Sequence, residues 1–157
     1  MIEYEFLKRG LFGMANAHKA GSVAGYLGEA VVTGYFYGEN LPKLPREVFD
    51  GFRRDLNQIM GGEEFIWFDV QNTIITEEEL FANVSATIVD WPSIQRIPNA
   101  LSGNIAPTRQ SGHNVIFASV ALRGLSSHPN HAQNVLPAHR QHLPFYRAFP
   151  VLDNELS

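Results

Sequence analysis

Residues 22–38 read Ser22-Val23-Ala24-Gly25-Tyr26-Leu27-Gly28-Glu29-Ala30-Val31-Val32-Thr33-Gly34-Tyr35-Phe36-Tyr37-Gly38, and their conformation decides the fold class. Gly21, Gly25 and Gly28 would share one side of a helix, as would Gly34 and Gly38. The two GxxxG spacings, Gly21–Gly25 and Gly34–Gly38, let a second backbone approach closely. Each helical glycine costs about 1 kcal/mol relative to alanine, so only tight helix–helix packing would offset so many. Val31, Val32, Tyr35, Phe36 and Tyr37 would also suit a strand. The stretch is about the minimum length for a membrane span, but it carries Glu29 and three tyrosines, and it reads as a buried helix.

On the N-terminal side, Ile2, Phe6, Leu7, Leu11, Phe12 and Met14 recur at mostly helical intervals, interrupted by Gly10 and Gly13. His18-Lys19-Ala20-Gly21-Ser22 reads as a break, with Ser22 as a candidate N-cap. On the C-terminal side, Leu41-Pro42-Lys43-Leu44-Pro45 is a rigid connector, and Pro45 suits a first helical turn. Val48, Phe49, Phe52, Leu56, Ile59 and Met60 then form an apolar stripe backed by charged residues, and Gly61-Gly62 offers a left-handed stop.

Residues 64–70 are aromatic and short, a strand or a buried connection. Thr76-Glu77-Glu78-Glu79 spells a capping box with three acids in the first turn. Leu80, Phe81, Val84 and Ile88 continue that face until Trp91-Pro92 stops it. Pro92, Pro98 and Pro107 predict an irregular loop over about 92–110. After Ser111-Gly112, the residues Val115, Ile116, Phe117, Val120, Leu122 and Leu125 are apolar nearly all round, which predicts a central buried helix. Ser126-Ser127-His128-Pro129 breaks it; Pro137 compromises a last helical stretch over about 129–140, and the final residues read as a frayed tail.

The expected fold is therefore mainly α: five or six helices packed as hairpins in a single domain, 1–157. Its 157 residues and 45% hydrophobic content suffice for one core. Zero cysteines exclude a disulfide scaffold, a thiolate zinc site and a cysteine nucleophile. A net charge of −4 argues against a generic nucleic-acid binder. Charge is uneven: residues 1–91 carry net −7, residues 92–157 net +3, and five of the six histidines lie in the second part. This split predicts packing of one part on the other, or a positively biased pocket. Met1-Ile2-Glu3-Tyr4-Glu5 lacks the basic start of a secretory signal. The default location is the cytoplasm, although absence of cysteine fits the periplasm equally.

Residues 111–125 (SGHNVIFASVALRGL), and less clearly 17–38, resemble the inner-helix starts of α/α-hairpin toroid proteins, a group that includes terpene cyclases, lanthionine-synthetase-like proteins and polysaccharide-acting enzymes. The resemblance implies stacked helical hairpins, as an incomplete toroid or a subunit of an assembly. It carries over no functional residue, because no DxDD-type cluster and no Cys/His zinc set is present.

Four constellations could carry chemistry. Arg109-Gln110-Ser111-Gly112-His113-Asn114 leads into a helix: Arg109 suits a carboxylate or phosphate, Ser111, Gly112 and Asn114 offer a polar close approach, and His113 suits acid–base work. The plainer reading is an ordinary cap at Ser111. Glu29, in an apolar run, needs a partner: with His18 and the tyrosines it could act as acid or base, while an ion pair with Arg123 is the plainer and favoured reading. The pairs His128/His131 and His139/His142 could bind a metal, or simply be solvated. Glu77-Glu78-Glu79 with Glu63-Glu64 could hold a cation, but the capping box explains the first three alone.

The functional expectation is a site for a polar or anionic small molecule, such as a saccharide, between the acidic and the Arg/His-rich parts. Its catalytic residues would be His113 and Glu29, and its contacts Arg109, Ser111, Gly112, Asn114 and His18, with aromatic walls from Trp67 and Tyr35. Neither a metal nor another cofactor is expected, nor a nucleic-acid or membrane partner. The alternatives are a non-catalytic oligomerisation module, with homo-oligomers, and a histidine metal protein.

Overall fold

The computed structural model describes residues 2–21, 24–63, 73–84, 91–103 and 113–127. Among these residues there are six α-helices and no strand: α1 (Tyr4–Asn16), α2 (Gly25–Asn40), α3 (Arg46–Met60), α4 (Glu77–Leu80), α5 (Trp91–Gly103) and α6 (His113–Ser127). A short 3-10 turn, Ala17–Lys19, follows α1. The fold is mainly α.

The stretch that decides the class is helical. α1 and α2 form an antiparallel hairpin: Ile2 meets Gly38 at one end, while Gly10 and Gly13 meet Gly28 toward the other. A Cβ added at Gly28 would lie against the backbone nitrogen of Met14 and 2.8 Å from the carbonyl oxygen of Gly10. The backbones therefore touch, and their contact offsets the intrinsic cost of the glycines. The closest approach is made by Gly10, Gly13 and Gly28 rather than by the two GxxxG pairs. Gly21 lies before α2 with φ +93°, in the left-handed region that glycine enters without strain. Gly34 and Gly38 face different neighbours, Leu56 of α3 and Ile2. Ser22 lies outside the described residues, and α2 has Ala24 at its N-cap position.

α3 packs on α2, with Leu56 against Gly34 and Phe52 beside Tyr37, and buries Phe49, Leu56 and Met60 of the expected stripe. Pro45 is its N-cap residue, and Gly62 (φ +82°) turns the chain left-handed after it. Arg53 grips both carboxylate oxygens of Glu3 at 3.0 Å and one of Asp50 at 2.8 Å, pinning α3 to the start of the chain.

The capping box is formed: the Glu79 N–H donates to Thr76 Oγ1 at 3.2 Å, and the Thr76 N–H donates to Glu79 Oε2 at 2.8 Å. The helix it starts is shorter than the apolar pattern predicts. Asn16 of α1 is 3% exposed and donates its Nδ2 protons to the carbonyls of Glu79, Leu80 and Ala82. These carbonyls would otherwise bond the next helical turn, so Asn16 ends α4 from a distance. Leu80 and Phe81 are nevertheless buried, and Phe81 packs against Gly13.

Two further expectations are corrected. Trp91-Pro92 lies within a helix instead of stopping one, and residues 92–103 of the expected irregular stretch 92–110 belong to α5; residues 104–110 lie outside the described residues. Pro98 removes one helical N–H, yet Ile94 and Ile97 are buried and Leu101 half-buried, on the helix that packs against α6. α6 is not buried all round: Phe117, Ala118, Ala121 and Leu125 face the core, whereas Val115 and Ile116 are 43% and 45% exposed. Its described neighbours α1, α2 and α5 cover one side only.

Candidate functional site

α2 and α6 run in the same direction. His113 and Phe117 lie beside Tyr26 near the start of α2, and Arg123 lies over Phe36 a few turns later. Parallel packing places the first turns of both helices at one end of the molecule. There the Tyr26 ring meets the His113 ring edge-on, with centroids 5.3 Å apart at 81°. Tyr26 also meets Phe117 edge-on at 4.9 Å. Glu29 follows Tyr26 by three residues and so shares its face of α2.

Glu29 is half-buried. Burial pushes its carboxyl above the ordinary value, and the charge of nearby His113 pulls weakly the other way. Burial likewise raises the Tyr26 phenol, with a smaller push from Glu29. Glu29, Tyr26 and His113 thus lie near one another: a carboxyl and a phenol, both raised by burial, and an imidazole.

The expected Glu29–Arg123 ion pair is not formed. The Arg123 guanidinium stacks on the Phe36 ring at 4.1 Å. Phe36 lies seven residues beyond Glu29, about 10 Å along the helix, so Arg123 serves a different part of α2.

Tyr35 does not wall this site. It is buried toward the far end of α2, edge-on to Phe36 at 5.3 Å, and its phenol is raised by burial and by Glu39, to which it is hydrogen-bonded. Nine residues separate it from Tyr26, about 13 Å along the helix. The tyrosine that joins the site is Tyr26, and its signal in the sequence was the three-residue spacing to Glu29.

His18 lies in the turn between α1 and α2, with Nδ1 2.9 Å from the Ala15 carbonyl, a contact that closes the last turn of α1. Asn16, not singled out in the sequence, is the buried polar side chain that couples α1 to residues 79–82.

Trp67, Arg109, Ser111, Gly112, Glu64 and the four histidines His128, His131, His139 and His142 lie outside the described residues, as does the Asn114 side chain. Among the described residues no group of three or more His, Asp or Glu could hold a metal ion. Nor is any described helix long and apolar enough to cross a membrane.

No family model, no curated protein and no solved structure matches the chain. The likeness to α/α-hairpin toroid proteins therefore rests on its own residues alone.

Proposed function

We propose that the end of the molecule where α2 and α6 begin binds a polar or anionic small molecule, with Glu29 and His113 as an acid–base pair. The carrying observation is the convergence of these two residues, one from the acidic part of the chain and one from the Arg/His-rich part, around Tyr26. The start of α2 also directs the positive end of its dipole to this region, which favours a negative or electron-rich group. In the sequence, Arg109-Gln110-Ser111-Gly112 leads directly into His113 and supplies a guanidinium suited to a carboxylate or phosphate. Glu29, whose carboxyl burial pushes above its ordinary value, and the His113 imidazole are the two groups suited to proton transfer there.

The test is thermal unfolding of the full chain against sugars, sugar phosphates and small carboxylates. At least one class should raise the melting temperature, and H113Q and E29Q should each remove the rise. A rise that survives both substitutions refutes the site.

The exposed Val115 and Ile116 on the outer face of α6 favour a second reading, a non-catalytic module that associates through that helix. Light scattering separates the two: a strict monomer at high concentration counts against association.

A further inference from the structure

Where α1 ends, a cavity of about 360 Å³ opens against the segment that carries α4. Its lining includes Asn16, Lys19, Ile75, Glu79, Asn83 and Val84. Small-molecule pockets begin at about this size. The lining holds one cation and one anion, yet no ion pair among the described residues joins Lys19 to Glu79.

Each charge is instead held in place by a neutral partner. The Lys19 ammonium donates one hydrogen bond, 2.9 Å, to Oδ1 of the buried Asn16. Asn16 is itself fixed by its Nδ2 bonds to the carbonyls of Glu79, Leu80 and Ala82. Exposed Glu79 uses Oε2 to accept the Thr76 N–H at 2.8 Å. A cavity lined by a cationic and an anionic residue that do not pair with each other complements a molecule that carries both charges itself. Ile75 and Val84 are half-buried against the core and give the cavity an apolar wall.

We propose that this cavity binds a free α-amino acid with a small aliphatic side chain. The ligand carboxylate meets Lys19, the ligand ammonium meets Glu79 and the side-chain oxygen of Asn83, and the aliphatic group lies on Ile75 and Val84. This site uses none of Tyr26, Glu29 or His113.

Titration calorimetry on the full chain with L-valine tests the proposal, with isobutylamine and 3-methylbutanoate as probes that each lack one of the two charges. L-Valine should bind saturably, and each single-charge probe should bind at least about tenfold more weakly, the loss expected for one charge-assisted hydrogen bond. E79Q removes the anion but keeps the capping box, because glutamine serves equally at that position. E79Q and K19M should each weaken L-valine binding by about tenfold or more, with helical circular dichroism unchanged. Absence of saturable L-valine binding, equal binding of all three probes, or wild-type affinity in E79Q would each overturn the proposal.

Discussion

Replacing Gly28 by alanine places a methyl group where α1 already stands. The added Cβ would press on the Met14 nitrogen and lie 2.8 Å from both the Gly10 oxygen and the Gly13 carbonyl carbon. Ordinary carbon contacts begin near 3.5 Å, so the shortfall against each is roughly 0.7 Å or more. All three atoms are backbone, and no rotamer change relieves the clash. The hairpin must open along its length, loosening the fully buried Leu7, Leu11, Val31 and Val32. Overpacking of this kind costs about 1–3 kcal/mol and occasionally more, while alanine returns about 1 kcal/mol of helix propensity. With backbone on both sides the upper part of that range applies, so G28A should lose about 2 kcal/mol net. For a chain of this size that lowers the melting temperature by roughly 4–8 °C. Gly51 of α3 is the matched control: a Cβ there meets nothing within 4 Å, so G51A should gain about 0.5–1 kcal/mol. Urea unfolding followed by circular dichroism measures both variants. If G28A is as stable as wild type, or shifts in the same direction as G51A, backbone contact does not hold the hairpin.

Asn16→Ala removes the donor shared by three carbonyls and should cost about 2 kcal/mol in urea unfolding; Asn16→Asp, which turns an oxygen toward those carbonyls, should cost more, and equal stabilities would contradict this bonding. Glu29 has a raised folded-state value, so the folded chain holds more protons than the unfolded chain and wild-type stability falls as pH rises from about 4.5 through that value. The stability of E29Q relative to wild type should therefore climb across this window in urea midpoints and then level off, whereas a constant difference would show that Glu29 is not perturbed. Tyr4 is pushed up to about 12, mainly by burial, so wild type should lose stability between pH 10 and 12, and Y4F should lose less.

Local pattern carried much of the fold and little of the site. The stripe of α3 and the Thr76–Glu79 box are readable because their signals lie within a few residues of each other. The glycines of α1 and α2 were readable as a demand for close packing, but not which of them would touch: that depends on the register in which Gly28 meets Gly10 and Gly13. α5 is hidden by its prolines, although Pro98 costs only one bond in a helix with a buried isoleucine face. The early end of α4 is set by Asn16, more than sixty residues away. The convergence of Glu29 and His113 likewise follows from α2 and α6 running parallel, which no short window of sequence encodes. Tyr26 and Tyr35 are both aromatic in the same apolar run, and only helical phase and the α6 contact separate them.

The site reading stands most directly on the proximity of Glu29 and His113. Carbon-detected NMR titration of the Glu29 carboxyl, in wild type and in H113Q, measures it. Glu29 should titrate above 4.5 in wild type and higher still in H113Q, because burial raises the carboxyl while His113 lowers it. An ordinary or depressed value for Glu29, or one that does not move when His113 is replaced, would contradict the assembled site.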